Sequence, residues 1–214
     1  MKPHPSDNAP PPVEPRWPAV LAVLAVGGLY LSLPEDISIG PVWLPLAIIA
    51  VLSAFATLAH RSGQHSINII LGHLLSATIT LFMVCSIALL IRALIAHAEA
   101  PGPLLRAGAA LWVTNILVFA SWYWRLDAGG PHARSKRAAH AEGAFLFPQM
   151  TLRDARPWSP QFIDYLFLAF TTSTAFSPTD TPILSRWAKA LVMIQACISL
   201  LVIAVLVGRA VNIL

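Results

Sequence analysis

From Ile67 to Ile95 the chain carries 29 residues with a single charge, Arg92. As a helix that stretch is about 44 Å long. The hydrocarbon core of a bilayer is about 30 Å thick. A run of this length and apolarity has few other places to go, so the chain is read as crossing a membrane more than once. Five further apolar runs support this: Trp17 to Leu33, Val42 to Leu58, Leu104 to Trp124, Phe162 to Phe176, and Trp187 to Val207, which continues to Leu214. Charged residues make up 11% of the chain and hydrophobic ones 57%. A soluble domain is about a quarter charged. The expected fold is therefore an all-α polytopic transmembrane bundle of five to six membrane segments, with six preferred.

The expected layout is a Pro-rich tail over residues 1–16, disordered because proline fixes φ and removes donors, followed by one membrane domain over 17–214. No small-residue cleavage site follows a short apolar core, so the first run is expected to stay as an uncleaved anchor. The net charge of +4 does not indicate nucleic acid. The basic residues fall in loops, as the positive-inside rule requires. Six of the fourteen lie between Arg125 and Gln161: Arg125, Arg134, Lys136, Arg137, Arg153 and Arg156. With six spans and the N-terminus inside, ten basic residues lie inside and four outside. If the fifth segment re-enters from the long-loop side, the division becomes eleven and three. Both versions place the N-terminus and the long loop in the cytoplasm of a cell whose inner membrane holds the chain.

The fifth segment is the unusual one. Fifteen helical residues reach about 22 Å. It runs into FTTSTAFSPTDTP, Phe170 to Pro182, with five threonines, two serines and an aspartate. Thr171, Thr172, Ser173, Thr174 and Asp180 are the candidates for lining a polar path. In the alternative reading they form a helix–turn–helix corner, with Ser177 to Asp180 as the turn, Thr181 as N-cap and Pro182 opening the last helix. Asp164 is a candidate proton or cation site, or a carboxylate at a helix N-terminus favoured by the dipole. His73 is an intramembrane imidazole that could carry a proton or bond to a neighbouring helix. Asn115 and Gln195 read as interhelical hydrogen-bonding groups. Cys85 and Cys197 lie inside apolar runs as small hydrophobes. No metal-ligand spacing, phosphate-binding glycine loop or catalytic set occurs, so neither an enzyme, a metal nor a cofactor is expected.

FTTSTAFSPTDTP loosely resembles the pore region of two-transmembrane potassium channels, with Thr171, Thr172, Asp180 and Pro182 in matching order. The filter glycines are missing, since no glycine occurs between Gly143 and Gly208. A filter lined by carbonyls needs conformations that glycine adopts cheaply. A second resemblance covers Tyr123 to Leu214. YW-x-LD-x-GGP, then FLFPQM, then W-x-P-x-F-x-DYLFLAFT, AFSPTDT-x-x-x-SRWAK and GRAVNIL resemble a bacterial family of integral membrane proteins of unknown function. Phe147-Pro148, Asp164-Tyr165, Thr179-Asp180 and Asn212 occupy the family's positions, with Thr179 replacing a serine. That resemblance implies an all-helical inner-membrane protein and no activity. The expected function is channel- or transporter-like, for an ion or small solute, with the lipid bilayer and further copies of the chain as the partners considered. The alternative is a structural or accessory membrane protein.

Overall fold

A computed structural model describes residues 14–96, 101–134, 143–152, 158–174 and 180–211. Among them are seven helices: α1 (Trp17–Tyr30), α2 (Leu44–Arg61), α3 (His65–Ala96), α4 (Pro101–Leu126), α5 (Pro131–Arg134), α6 (Phe162–Thr174) and α7 (Arg186–Val211). The described residues hold no strand, only an isolated antiparallel bridge between Phe145 and Ile183. The all-helical class is as expected. Four helices, α2, α3, α4 and α7, are long and apolar enough to cross a membrane. With 14 and 13 residues, α1 and α6 reach only about 20 Å, so a count of five to six full crossings does not follow from helix length.

The central helix is α4. It packs against α1, α3, α6 and α7, and two-thirds of its apolar window is buried, against about a fifth for α2 and α7. The outer helices turn Phe55, Leu58, Ile70, Leu81, Met193 and Leu200 outward, each at least half exposed. A soluble protein rarely displays so much apolar surface. Lipid tails solvate it without cost. One tight contact fixes the α1–α2 crossing: a Cβ at Gly27 would come within 2.5 Å of Leu46 Cδ1.

The last helices do not form an antiparallel hairpin. Along α6 and α4 the contacts run in opposite order, Phe162 against Trp124 and Phe170 against Trp112. Along α7 and α4 they also run in opposite order, with Gln195 bonded to Tyr123 and Asn115, Ser199 to Trp112, and Leu206 beside Gly108. Two helices each antiparallel to a third are parallel to one another. Directly, Ala169 meets Gln195 and Ser173 meets Ser199. Thr174 therefore ends α6 about halfway along α4 and α7, while α7 begins beside the start of α6. There Trp187 packs on Phe145, which packs on Tyr165. The chain after Thr174 returns to the end from which α6 set out. The eleven residues between the helices can span about 36 Å, ample for the roughly 20 Å of α6.

This placement corrects the expected corner. Thr181 does not cap the final helix and Pro182 does not open it. Residues 181–184 are extended against residues 144–146, through Leu146 N–H to Pro182 O (2.9 Å) and Leu184 N–H to Ala144 O (2.8 Å), and α7 starts at Arg186. The Ser177–Thr179 part of the expected turn, like residues 1–13 of the expected tail, lies outside the described residues.

Gln195 holds the parallel pair. Its Nε2 donates to Ala169 O (2.7 Å) and Ser173 Oγ (2.9 Å), and its Oε1 accepts from Tyr123 Oη–H (2.5 Å). It is fully buried, where an unmade hydrogen bond costs about 1–3 kcal/mol. Gln195→Leu strands the Tyr123 hydroxyl and the Ser173 hydroxyl together, and is expected to destabilise the protein by about 2–4 kcal/mol. Asn115→Leu, which removes one 3.3 Å bond, is expected to cost less. Thermal unfolding of both variants in detergent checks the order.

Candidate functional site

Two polar assemblies stand out, one at the tip of α6 and one where α4 ends. The first contains the Thr/Ser cluster. Thr171 donates to Phe167 O and Leu168 O (both 3.0 Å), Thr172 to Leu168 O (2.8 Å) and Thr174 to Phe170 O (2.9 Å). Each hydroxyl thus gives its hydrogen to its own helix and keeps its oxygen lone pairs. Ser173 is buried, accepting from Gln195 at Oγ and from Ser199 at its carbonyl (2.8 Å). A cavity of about 180 Å³ lies between this tip and α7, lined by Thr172, Ser173, Thr174, Cys197, Ser199 and Leu200 among others. Among the described residues this end of α6 thus presents hydroxyl oxygens whose own hydrogens are already given to the helix.

The other expected site residues are dispersed. Asp164 stands at the opposite end of α6, where its carboxylate accepts the Gln161 N–H at 2.7 Å, the geometry of a helix N-terminal cap. Asp180 is exposed, six residues after the end of α6. His73 lies on α3, its Nδ1 donating to Ile69 O (2.8 Å) and its ring tilted against Trp122 of α4. The structure brings Thr171, Thr172, Ser173 and Thr174 together and leaves Asp164, Asp180 and His73 apart from them. Among the described residues no three His, Cys, Asp or Glu side chains are placed to hold a metal.

The second assembly joins residues that sequence reasoning left out. Past Leu126 the chain turns through Ala128, Gly129 and Gly130, all at positive φ. Gly130 admits no side chain, since a Cβ would meet Arg125 O at 2.8 Å. The turn lays α5 under the end of α4. Arg134 then caps α4 from below, with Nη1 donating to Trp124 O and Asp127 O (both 2.8 Å). Its Nη2 pairs with Glu14 at 3.1 Å, both side chains almost fully buried, and its guanidinium lies 5.1 Å over the Tyr165 ring. Glu14 also accepts from the Trp124 indole. Asp127, fully buried, accepts the Ala144 N–H and the Tyr165 hydroxyl (both 2.6 Å). One network thus fastens the residues before α1, the end of α4, the long loop and the start of α6. The LDAGGP turn was the signal for this end of α4. Nothing in the Pro-rich sequence around Glu14 marks that residue as its partner.

Among the described residues the fold is all-helical, with four helices long and apolar enough to cross a membrane and a shorter helix, α6, reaching about halfway along α7. The chain matches no protein-family model, no curated protein and no solved structure.

Removing Arg134 leaves the buried Glu14 carboxylate without its cation and two helix-end carbonyls without this donor. Arg134→Ala is expected to cost about 3–5 kcal/mol, measured as a lowered unfolding midpoint. Burial pushes the Glu14 carboxyl above its ordinary range, and Arg134 and Trp124 offset only part of that. An acid raised on folding stabilises most at low pH, and its contribution fades as pH rises through the folded value. Glu14→Gln is therefore expected to flatten the fall in stability as pH rises above the ordinary carboxylate range, read by thermal unfolding across a pH series.

Proposed function

We propose that the chain is a channel- or transporter-like membrane protein with five spans, α1, α2, α3, α4 and α7, and α6 as a re-entrant helix. The observation that supports this is the parallel course of α6 and α7, which brings the chain back to the side it left. The α6 tip, at mid-depth, is then the polar element of a path for a small cation. Discontinuous helices use their C-terminal ends and freed carbonyls for this chemistry in transporters. Short helices ending inside the membrane are tolerated where protein or a water-filled cavity surrounds them. The orientation follows from charge: entry of α6 from the long-loop side places eleven basic residues in the cytoplasm and three outside, in a bacterial inner membrane. Thr174 and Cys197 are exposed on the outer surface of the chain, so further copies of the chain would close the path.

A second reading, a structural or accessory protein, draws support from the Thr hydroxyls donating within their own helix. Purified protein in proteoliposomes separates the two. The transport reading expects a potassium or sodium flux above that of empty liposomes, lowered about tenfold or more in Thr172→Val and Thr174→Val, where the loss of coordinating oxygens is worth a few kcal/mol. Thr80→Val, on α3, is expected to leave it unchanged. Folded protein with no flux of either ion contradicts the transport reading, and variants that change stability alone favour the accessory one.

A further inference from the structure

At the end of the bundle that holds the long loop, a second cavity opens between α1, α2, α3 and α4. Its volume is about 120 Å³. Its outer part is lined by Arg16, His60, Asn68 and Arg125, its inner part by Ala19, Val23, Leu75 and other apolar groups. Among the described residues no carboxylate lines it. Glu14, two residues before Arg16, is already engaged with Arg134 and Trp124. Arg16 donates to His60 Nδ1 at 2.9 Å. An arginine only donates, so that nitrogen is the acceptor and the imidazole supplies no negative charge.

Arg125 is the decisive residue. Its guanidinium lies across α3 at Gly72, where any side chain would collide with it, and 5.4 Å from the Trp124 ring centroid. Its Nε is buried with no hydrogen-bond partner, and among the described residues it forms no salt bridge. Two guanidiniums facing one cavity repel each other, and a buried unpaired cation is costly unless something negative joins it. Arginine's planar fork suits a phosphate, which accepts two parallel hydrogen bonds.

We infer that this cavity is a binding site for a phosphate-bearing anion, held between Arg16 and Arg125. The apolar inner wall favours a phospholipid, with its headgroup phosphate at the arginines and the top of an acyl chain along α1 and α3. Basic pockets between membrane helices on the cytoplasmic side bind such headgroups. A free phosphate offers the same group to the arginines but leaves the inner wall unused. The site is separate from the tip of α6 and does not depend on any transport there.

The test uses the full chain, purified and stripped of lipid in detergent. Thermal unfolding is followed with added phosphatidylglycerol, with phosphatidylcholine, and with inorganic phosphate alone. The expected result is a rise in midpoint with phosphatidylglycerol and little with the other two. Apparent affinity is expected to be about tenfold or more weaker in Arg16→Gln and in Arg125→Gln, and unchanged in Arg106→Gln, whose side chain is exposed near the other end of α4. Should Arg125→Gln fail to fold, Arg16→Gln alone carries the comparison. An equal rise with inorganic phosphate, lost in the same variants, assigns the site to a free anion and keeps it. No rise with any anion, or a rise that both variants retain, overturns it.

Discussion

Much of the C-terminal half depends on one side chain. Gln195 reaches from α7 to α6 and α4 at once, bonding a backbone carbonyl, a serine hydroxyl and a tyrosine hydroxyl. Lipid tails give helices no hydrophobic reason to prefer one neighbour over another, so interhelical hydrogen bonds and close packing decide. An amide offers two donors and an acceptor in a fixed plane. Gln195 satisfies all of them with α6 running alongside α7 in the same direction. The parallel course in turn sets where α6 ends, and the position of its tip is what gives the Thr/Ser cluster chemical interest.

The other fixed point is at the end of α4. Arg134 and Asp127 bind the long loop, the segment before α1 and the first turn of α6 to that helix end. This anchoring makes a return possible, because the extended residues 181–184 dock on a loop already held in place through Ala144. The same end of the bundle collects the arginines. Arg134 has its carboxylate in Glu14, whereas among the described residues Arg125 has none. That contrast between a fully buried, paired Arg134 and a half-buried Arg125 whose Nε has no partner is the physical basis for expecting an anion beside Arg125 and none beside Arg134.

The long helices were legible in the sequence because apolar length alone specifies them: α3 was expected over 67–95 and runs from His65 to Ala96. Asn115 and Gln195 were legible as interhelical groups, since a buried amide must find partners. The direction of α7 relative to α6 was not. A Thr/Ser/Pro-rich connection permits either a corner between antiparallel helices or a return beside parallel ones, and only long-range bonds choose. Asp164 followed its local context as a helix-start carboxylate. Glu14 was invisible for the opposite reason, because its partner Arg134 is 120 residues away. Thr181 and Pro182 carried a strong local helix-start pattern, and pairing with residues 144–146 overrode it.

The parallel course of α6 and α7 is tested most directly by sidedness. Cys85 and Cys197 would be replaced, single cysteines placed at Asp36, Gln149 and Leu184, and intact cells exposed to a membrane-impermeant thiol reagent, with a reporter fused after Leu214. Asp36→Cys is expected to react, Gln149→Cys and Leu184→Cys to be protected together, and the reporter to lie on the side of Asp36. Reaction at Leu184→Cys with protection at Gln149→Cys, and a reporter on the opposite side from Asp36, would mean that α6 crosses the membrane and the parallel arrangement is wrong.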